Sequence, residues 1–215
     1  MPFDNLPLPD DPELSHLERQ QNLVGSFPIE TDRLLIREIR PDDVDSFQEL
    51  VNHAEFHYYY FDGSREKTQA FIDEAVAAQT PLPGQLRKSF MMAVEHKATG
   101  ALIGHVTVDM LDKAPDDYDL AYFVHPAHWG LGYATEAATG FLKALFDTVA
   151  PPKVVATAHP DNTASRRLLK HVGFEETGDV TYLESAAGKN ERLWYRLEPH
   201  GFNGNHQTYM PGLKK

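Results

Sequence analysis

From Arg33 onward the chain alternates with a two-residue period. Leu34, Ile36 and Glu38 fall on one side and Leu35, Arg37 and Ile39 on the other, which predicts a strand. Pro41-Asp42 then opens a predicted helix running to about Asn52, with Val44, Phe47, Leu50 and Val51 on one face. After an aromatic stretch, Ser64 caps a second predicted helix whose inward residues are Ala70, Phe71, Ala75 and Val76. Strand-like runs follow at Phe90 to Glu95, Leu102 to Met110 and Tyr118 to Val124. A helix is expected from about Ala134 to Val149, stopped by Pro151-Pro152. Val154 to Ala158 has the character of a short buried strand. Asn162 to Val172 predicts a helix closed by a left-handed Gly173. Thr177 to Leu183 and Leu193 to Leu197 predict a last hairpin.

Ahead of this pattern, residues 1–29 form an acidic, proline-rich arm with a short helix. It opens near Asp11-Pro12, carries Leu14, Leu17 and Val24 as its stripe, and stops at Gly25. Such an arm packs either on its own domain or on a partner subunit, which leaves a homodimer open. Residues 199–215 have the composition of a flexible tail. Between them, residues 30–198 form one α/β domain. Its element order is best buried by three αβα layers around a mixed, mostly antiparallel sheet of about seven strands.

Charge narrows the partners. Against 20 basic residues stand 32 acidic ones, a formal net charge of -12, which argues against a nucleic-acid-coating protein and favours cationic partners. The absence of cysteine removes disulfides, thiolate metal sites and a cysteine nucleophile, and agrees with a reducing cytoplasm. No apolar run is long enough to cross a bilayer, so no membrane association is expected.

The stretch HWGLGYATEA, His128 to Ala137, places two glycines just before the predicted long helix. They could form a simple strand-to-helix turn. A Walker loop would need Gly-Lys-Ser/Thr after its glycines, and none follows. A dinucleotide fingerprint would need a third glycine where Thr135 stands, after the first strand of its unit. What remains beside the plain turn is a diphosphate held by backbone amides at a helix start, where only small residues allow close approach.

Trp129-Gly130-Leu131-Gly132-Tyr133-Ala134 resembles the pyrophosphate loop of the GNAT superfamily of N-acetyltransferases, with tryptophan in place of the usual Gln or Arg. Asn162-Thr163-Ala164-Ser165, running on to Gly173-Phe174, and the opening Glu30-Thr31-Asp32-Arg33-Leu34-Leu35-Ile36-Arg37 resemble two further motifs of its ribosomal-protein alanine N-acetyltransferase branch. The similarity covers about Glu30 to Leu197. It implies that acetyl-CoA, with no metal, wedges where two strands splay. Tyr122, Phe123 and Val124 then pair with the pantetheine arm, and the amide near Phe123 polarises the thioester. Residues 129–134 bind the diphosphate, while Asn162 and Ser165 approach the cofactor. Transfer to an amine is direct.

Asp119, where relatives of this branch often carry a carboxylate, is the candidate base; a solvated strand aspartate is the plain alternative. His105 is the second candidate, set against a packed sheet histidine. The tyrosine that many relatives place late in the helix after the asparagine is replaced by Leu169, so Ser165 becomes the candidate donor to the leaving thiolate. Glu136 is explained by the helix dipole and capping. Tyr58, Tyr59 and Tyr60, with Phe61, either cage the acceptor amine or pack beneath a loop. His53 and His57 lack a third ligand, and a metal is not expected. The acceptor is a small-molecule amine or a peptide N-terminus. A non-catalytic acyl-CoA-binding module and an interaction scaffold are the alternatives.

Overall fold

The periodic core of the sequence becomes a single eight-stranded sheet with helices on both faces. The structure, a computed structural model, describes residues 14–53, 64–185 and 188–204. In chain order the elements are α1 (His16–Gly25), β1 (Ile29–Glu30), β2 (Leu34–Glu38), α2 (Val44–Val51), α3 (Arg65–Ala78), β3 (Ser89–His96) and β4 (Ala101–Leu111). Next come β5 (Ala114–Val124), α4 (Tyr133–Thr148), β6 (Val154–Ala158), α5 (Thr163–Val172), β7 (Glu175–Ser185) and β8 (Gly188–Leu197). The sheet order is β1-β2-β3-β4-β5-β6-β8-β7, and only β5 and β6 run parallel. The strand beyond the expected set is β1, a two-residue edge piece too short to leave a periodic signal.

Two cores flank the sheet. Helices α1, α4 and α5 cover one face through Leu23, Phe141, Leu142, Leu145, Leu168 and Leu169. Helices α2 and α3 cover the other through Val44, Phe47, Ile72 and Ala75. The start of α2 is fixed by Arg37, whose guanidinium donates to both oxygens of Asp43 (2.8 Å each) and to Glu95 (2.8 Å). Those two carboxylates raise its pKa above the ordinary arginine value against the opposing cost of burial.

Three expectations shift. In α3 Ala75 is buried and Phe71 and Val76 pack on the core as expected, Thr68 and Ile72 join them, and of the expected residues Ala70 alone faces solvent, because it lies off the stripe that Thr68, Ile72 and Ala75 form at helical spacing. In α1 the buried residues are Gln20 and Leu23, and Val24 is exposed. Ser15 and Glu18 form a capping box that starts this helix four residues after Asp11. The tail is packed over its first residues: Phe202 lies against Phe146 with centroids 5.2 Å apart, and the Asn203 amide donates to the Val172 carbonyl at 3.0 Å.

Helix α1 lies on its own domain. Gln20 accepts from the Arg87 amide (2.8 Å) and donates to the Arg87 carbonyl (3.1 Å) and to the Tyr118 hydroxyl (3.0 Å), while Leu23 is fully enclosed in the main core. Leu23→Ala is therefore expected to cost about 2–5 kcal/mol in denaturant unfolding. A loss under half a kcal/mol would show that α1 is not part of the cooperative unit.

Candidate active site

Strands β5 and β6 pair at Tyr118 with Val154 and at Asp119 with Val155, and no further. Beyond that point β5 stays on β4 as far as Val124, and β6 stays on β8 as far as Ala158. The sheet opens between them. The Tyr118 amide donates toward β6, to the Lys153 carbonyl at 3.4 Å. Because strand amides alternate sides, Leu120, Tyr122 and Val124 also turn their polar groups toward β6. On the other side the His125 amide donates to Ile103 at 2.8 Å, so Phe123 turns its amide to β4. The open-side amides next to Phe123 are thus those of Tyr122 and Val124.

The chain leaves β5 through a 3-10 turn at Pro126–His128 and enters the glycine loop. Gly130 (φ 75°) and Gly132 (φ 81°) both sit in the left-handed region, so the turn itself demands them. A Cβ on Gly130 would meet nothing within 4 Å, and Gly130, Leu131 and Gly132 are exposed. Gly132 is the N-cap of α4 and supplies no side chain to it, which leaves the first-turn amides accessible to an anion. Trp129 is 52% exposed and donates its indole N–H to the Val124 carbonyl at 2.6 Å. Tyr133 is buried, with its hydroxyl 3.1 Å from His96 Nε2, and Ala134 packs on the main core.

Across the opening, Asn162 caps α5: its side-chain oxygen accepts from the Ser165 amide at 3.0 Å. The Ser165 hydroxyl meets the Tyr122 hydroxyl at 2.9 Å. Leu169 is fully buried. On the opposite face of β5, Asp119 is half-buried and stands directly across from Asp109 of β4. Burial, and then the negative charge of Asp109, push the Asp119 carboxyl up to about 7. On that same face His105 stacks between Phe47 (5.7 Å) and Phe123 (6.3 Å), and burial pushes its pKa down to about 4. It is only 8% exposed, a packed neutral imidazole. Tyr58, Tyr59 and Tyr60 lie outside the described residues. Among the described residues no group of three or more His, Asp or Glu is arranged to hold a metal, and no helix is long and apolar enough to cross a membrane.

A family model described as the acetyltransferase (GNAT) domain matches residues 33–175. The chain belongs to the GNAT family. This GNAT protein is 28% identical over 155 residues to the uncharacterized N-acetyltransferase YoaA of Bacillus subtilis (strain 168), covering 71% of this chain and 85% of that one. The ribosomal-protein-S5-alanine acetyltransferase from Vibrio fischeri shares its fold, with a TM-score of 0.66 at 16% identity over 79% of this chain and 94% of that one. So does the microcin C7 self-immunity acetyltransferase MccE, solved with acetyl-CoA and AMP, with a TM-score of 0.65 at 15% identity over 78% and 93% of the two chains. The protein is an acyltransferase by family, and its sheet is the mixed, mostly antiparallel one of these neighbours.

In this GNAT domain two supporting groups emerge only from the fold. Glu136 does not cap its helix. It accepts from the Thr31 hydroxyl (2.6 Å) and from the Arg33 amide (2.8 Å) and Nε (2.7 Å). Arg33 also donates to the Leu131 carbonyl at 2.9 Å and lies 4.3 Å over the Tyr133 ring. The Thr-x-Arg opening and the Ala-Thr-Glu-Ala segment are thus one device that ties the glycine loop to the start of β2. The motif spacing contains both halves of that signal, but only the fold joins them. Asp109 is the second group, invisible without the β4–β5 register.

Arg33→Ala should leave the Glu136 carboxylate short of its cation and destabilise the protein by about 1.5–3 kcal/mol, with weaker cofactor binding. Unchanged unfolding and unchanged binding would dismiss the tether. Asp119→Asn tests the strained carboxylate. A folded pKa near 7 lies above the ordinary carboxylate value, so this group's contribution to stability is full below pH 4 and disappears as pH rises through 7. Relative to wild type, Asp119→Asn should therefore gain stability from pH 4 to pH 8. A parallel pH–stability curve for the two proteins would refute the raised pKa.

Proposed function

We propose that this enzyme moves an acetyl group from acetyl-CoA directly to a primary amine of a small molecule or a protein N-terminus. One observation carries the reading. Beyond its last pair with β6, β5 turns the Tyr122 and Val124 edge toward the opening between the two strands, and the neighbouring helix α4 begins at exposed glycines. Strand-edge groups suit the amides of a pantetheine arm, and first-turn amides suit a diphosphate. That MccE holds acetyl-CoA on the same fold supports the choice of donor.

On this reading the Tyr122 or Val124 amide, facing the gap, stabilises the oxyanion of the tetrahedral intermediate. Asp119 takes the amine proton, directly or through water. A carboxylate poised near neutrality suits that task, whereas His105 is buried and holds a proton only in acid. Asp119 sits on the α2–α3 face, and Tyr122 points to the α4–α5 face. The acceptor would then approach from the α2–α3 side and the cofactor from the other. The net charge of -12 and the uncompensated Asp109–Asp119 pair favour a cationic acceptor. Both protein and small-molecule acceptors remain within this chemistry.

The test is a mass-spectrometric screen of acetyl-CoA against pooled amines and peptides, read as gain of one acetyl group. Gly132→Glu should abolish acetyl-CoA binding, because it sets a carboxylate where the diphosphate sits. Leu131→Glu, which adds the charge without a left-handed residue, should weaken it at least tenfold. Undiminished binding in both folded variants would remove this loop from the cofactor site. Binding without turnover over the whole panel would instead favour a non-catalytic acyl-CoA module.

A further inference from the structure

We propose that the Tyr122 hydroxyl is the proton donor to the departing CoA sulfur, with Ser165 positioning it and resupplying its proton. The assignment rests on the acetyl-transfer reading above. Tyr122 lies beyond the last β5–β6 pair, and its side chain shares the face of Tyr118, Leu120 and Val124, which belong to the α4–α5 core. From there its hydroxyl spans the opening to α5 and stands 2.9 Å from the Ser165 hydroxyl and 3.4 Å from the Ser165 carbonyl. Both residues are half-buried. Ser165 is in turn held by the Asn162 cap, which accepts from its amide at 3.0 Å, so the Ser165 end of the pair is fixed by the helix start.

Acidity decides between the two hydroxyls. A thiol of about pKa 8.5 and a phenol of about pKa 10 are close enough for a proton to pass to the thiolate as it forms. An aliphatic hydroxyl, closer to water at about 15.7, is far too weak an acid to be the final donor. Leu169, one turn after Ser165 and fully buried, supplies no polar group. Strand β5 thus provides the phenol that α5 lacks. In the step itself the amine nitrogen bonds to the acetyl carbon, and the carbon–sulfur bond breaks with its electron pair passing to sulfur. The Tyr122 proton then moves to that sulfur, giving free CoA thiol. The phenolate regains a proton from Ser165, which draws one from water, and the amine proton leaves to Asp119 or solvent.

Tyr122→Phe keeps the ring packing and removes only the hydroxyl. The first probe is CoA itself, whose thiolate absorbance is titrated on the saturated protein, so no acceptor has to be known. If the phenol donates to sulfur, the bound thiol should titrate about one pH unit higher in Tyr122→Phe than in wild type. With acetyl-CoA and whichever amine the screen returns, kcat should fall roughly 10²-fold while the acetyl-CoA dissociation constant changes less than twofold. The high-pH limb of the rate profile should vanish as well. Ser165→Ala should produce a smaller loss, and the double variant should lose little more than Tyr122→Phe. Identical thiol titrations and equal kcat in wild type and Tyr122→Phe would overturn the assignment, as would a shifted titration in Ser165→Ala alone. Failure of wild type to bind CoA would instead overturn the acetyl-transfer reading on which the assignment rests.

Discussion

A strand edge buried in a sheet must find partners for its N–H and C=O groups, and the two-pair ladder between β5 and β6 means that β6 does not supply them at Tyr122 and Val124. Everything around the site follows from it. Past that ladder each strand follows its other neighbour, β6 with β8 over five residues and β5 with β4 through its last residue, and the two diverge. Gly104 helps to hold β5 there. A Cβ at that position would lie 2.2 Å from the Phe123 carbonyl, so only glycine allows the two backbones to approach so closely. The opening is therefore built into the sheet. In the free protein one open-side acceptor, the Val124 carbonyl, is met by the Trp129 indole.

Electrostatics divide the molecule's charges between support and chemistry. Arg37 is enclosed with Asp43 and Glu95, and Arg33 is tied to Glu136; in each case an arginine is matched by carboxylates at charge-assisted distances. These pairs hold the start of α2 and the glycine loop. The Asp109–Asp119 pair breaks that rule. Burial first, and then the like charge directly opposite on the sheet face, leave the Asp119 carboxyl balanced between its protonation states near neutral pH.

The sequence by itself determined the local elements and the glycine loop at the start of α4. Alternation marks β2 to β5, and the helical period marks α2, α4 and α5. Residues with one physical use identify the junctions. Asn162 caps α5, and Gly173 closes it at φ 114°, where a Cβ would lie 2.0 Å from the Gly201 carbonyl. Gly130 and Gly132 are needed twice over, first for their left-handed backbone and then for the bare helix start. These features are legible because each is a property of a few consecutive residues.

Tertiary structure decided what depends on register and on contacts far apart in the chain. Asp109 opposes Asp119 only because β4 and β5 pair in one register, and slipping by a single residue would turn one of them to the other face. Glu136, legible alone as a helix-dipole residue, becomes the anchor for Arg33 from 103 residues away. His105, a plausible base by composition, is enclosed between two phenylalanines. Tyr122 reads as a strand-edge residue by its backbone, and its hydroxyl has no reading until the fold sets it against Ser165, 43 residues on. Periodicity tells which face a side chain takes within its own element. It carries no information about which other element that face will meet, and that meeting is set by packing the whole sheet between its helices.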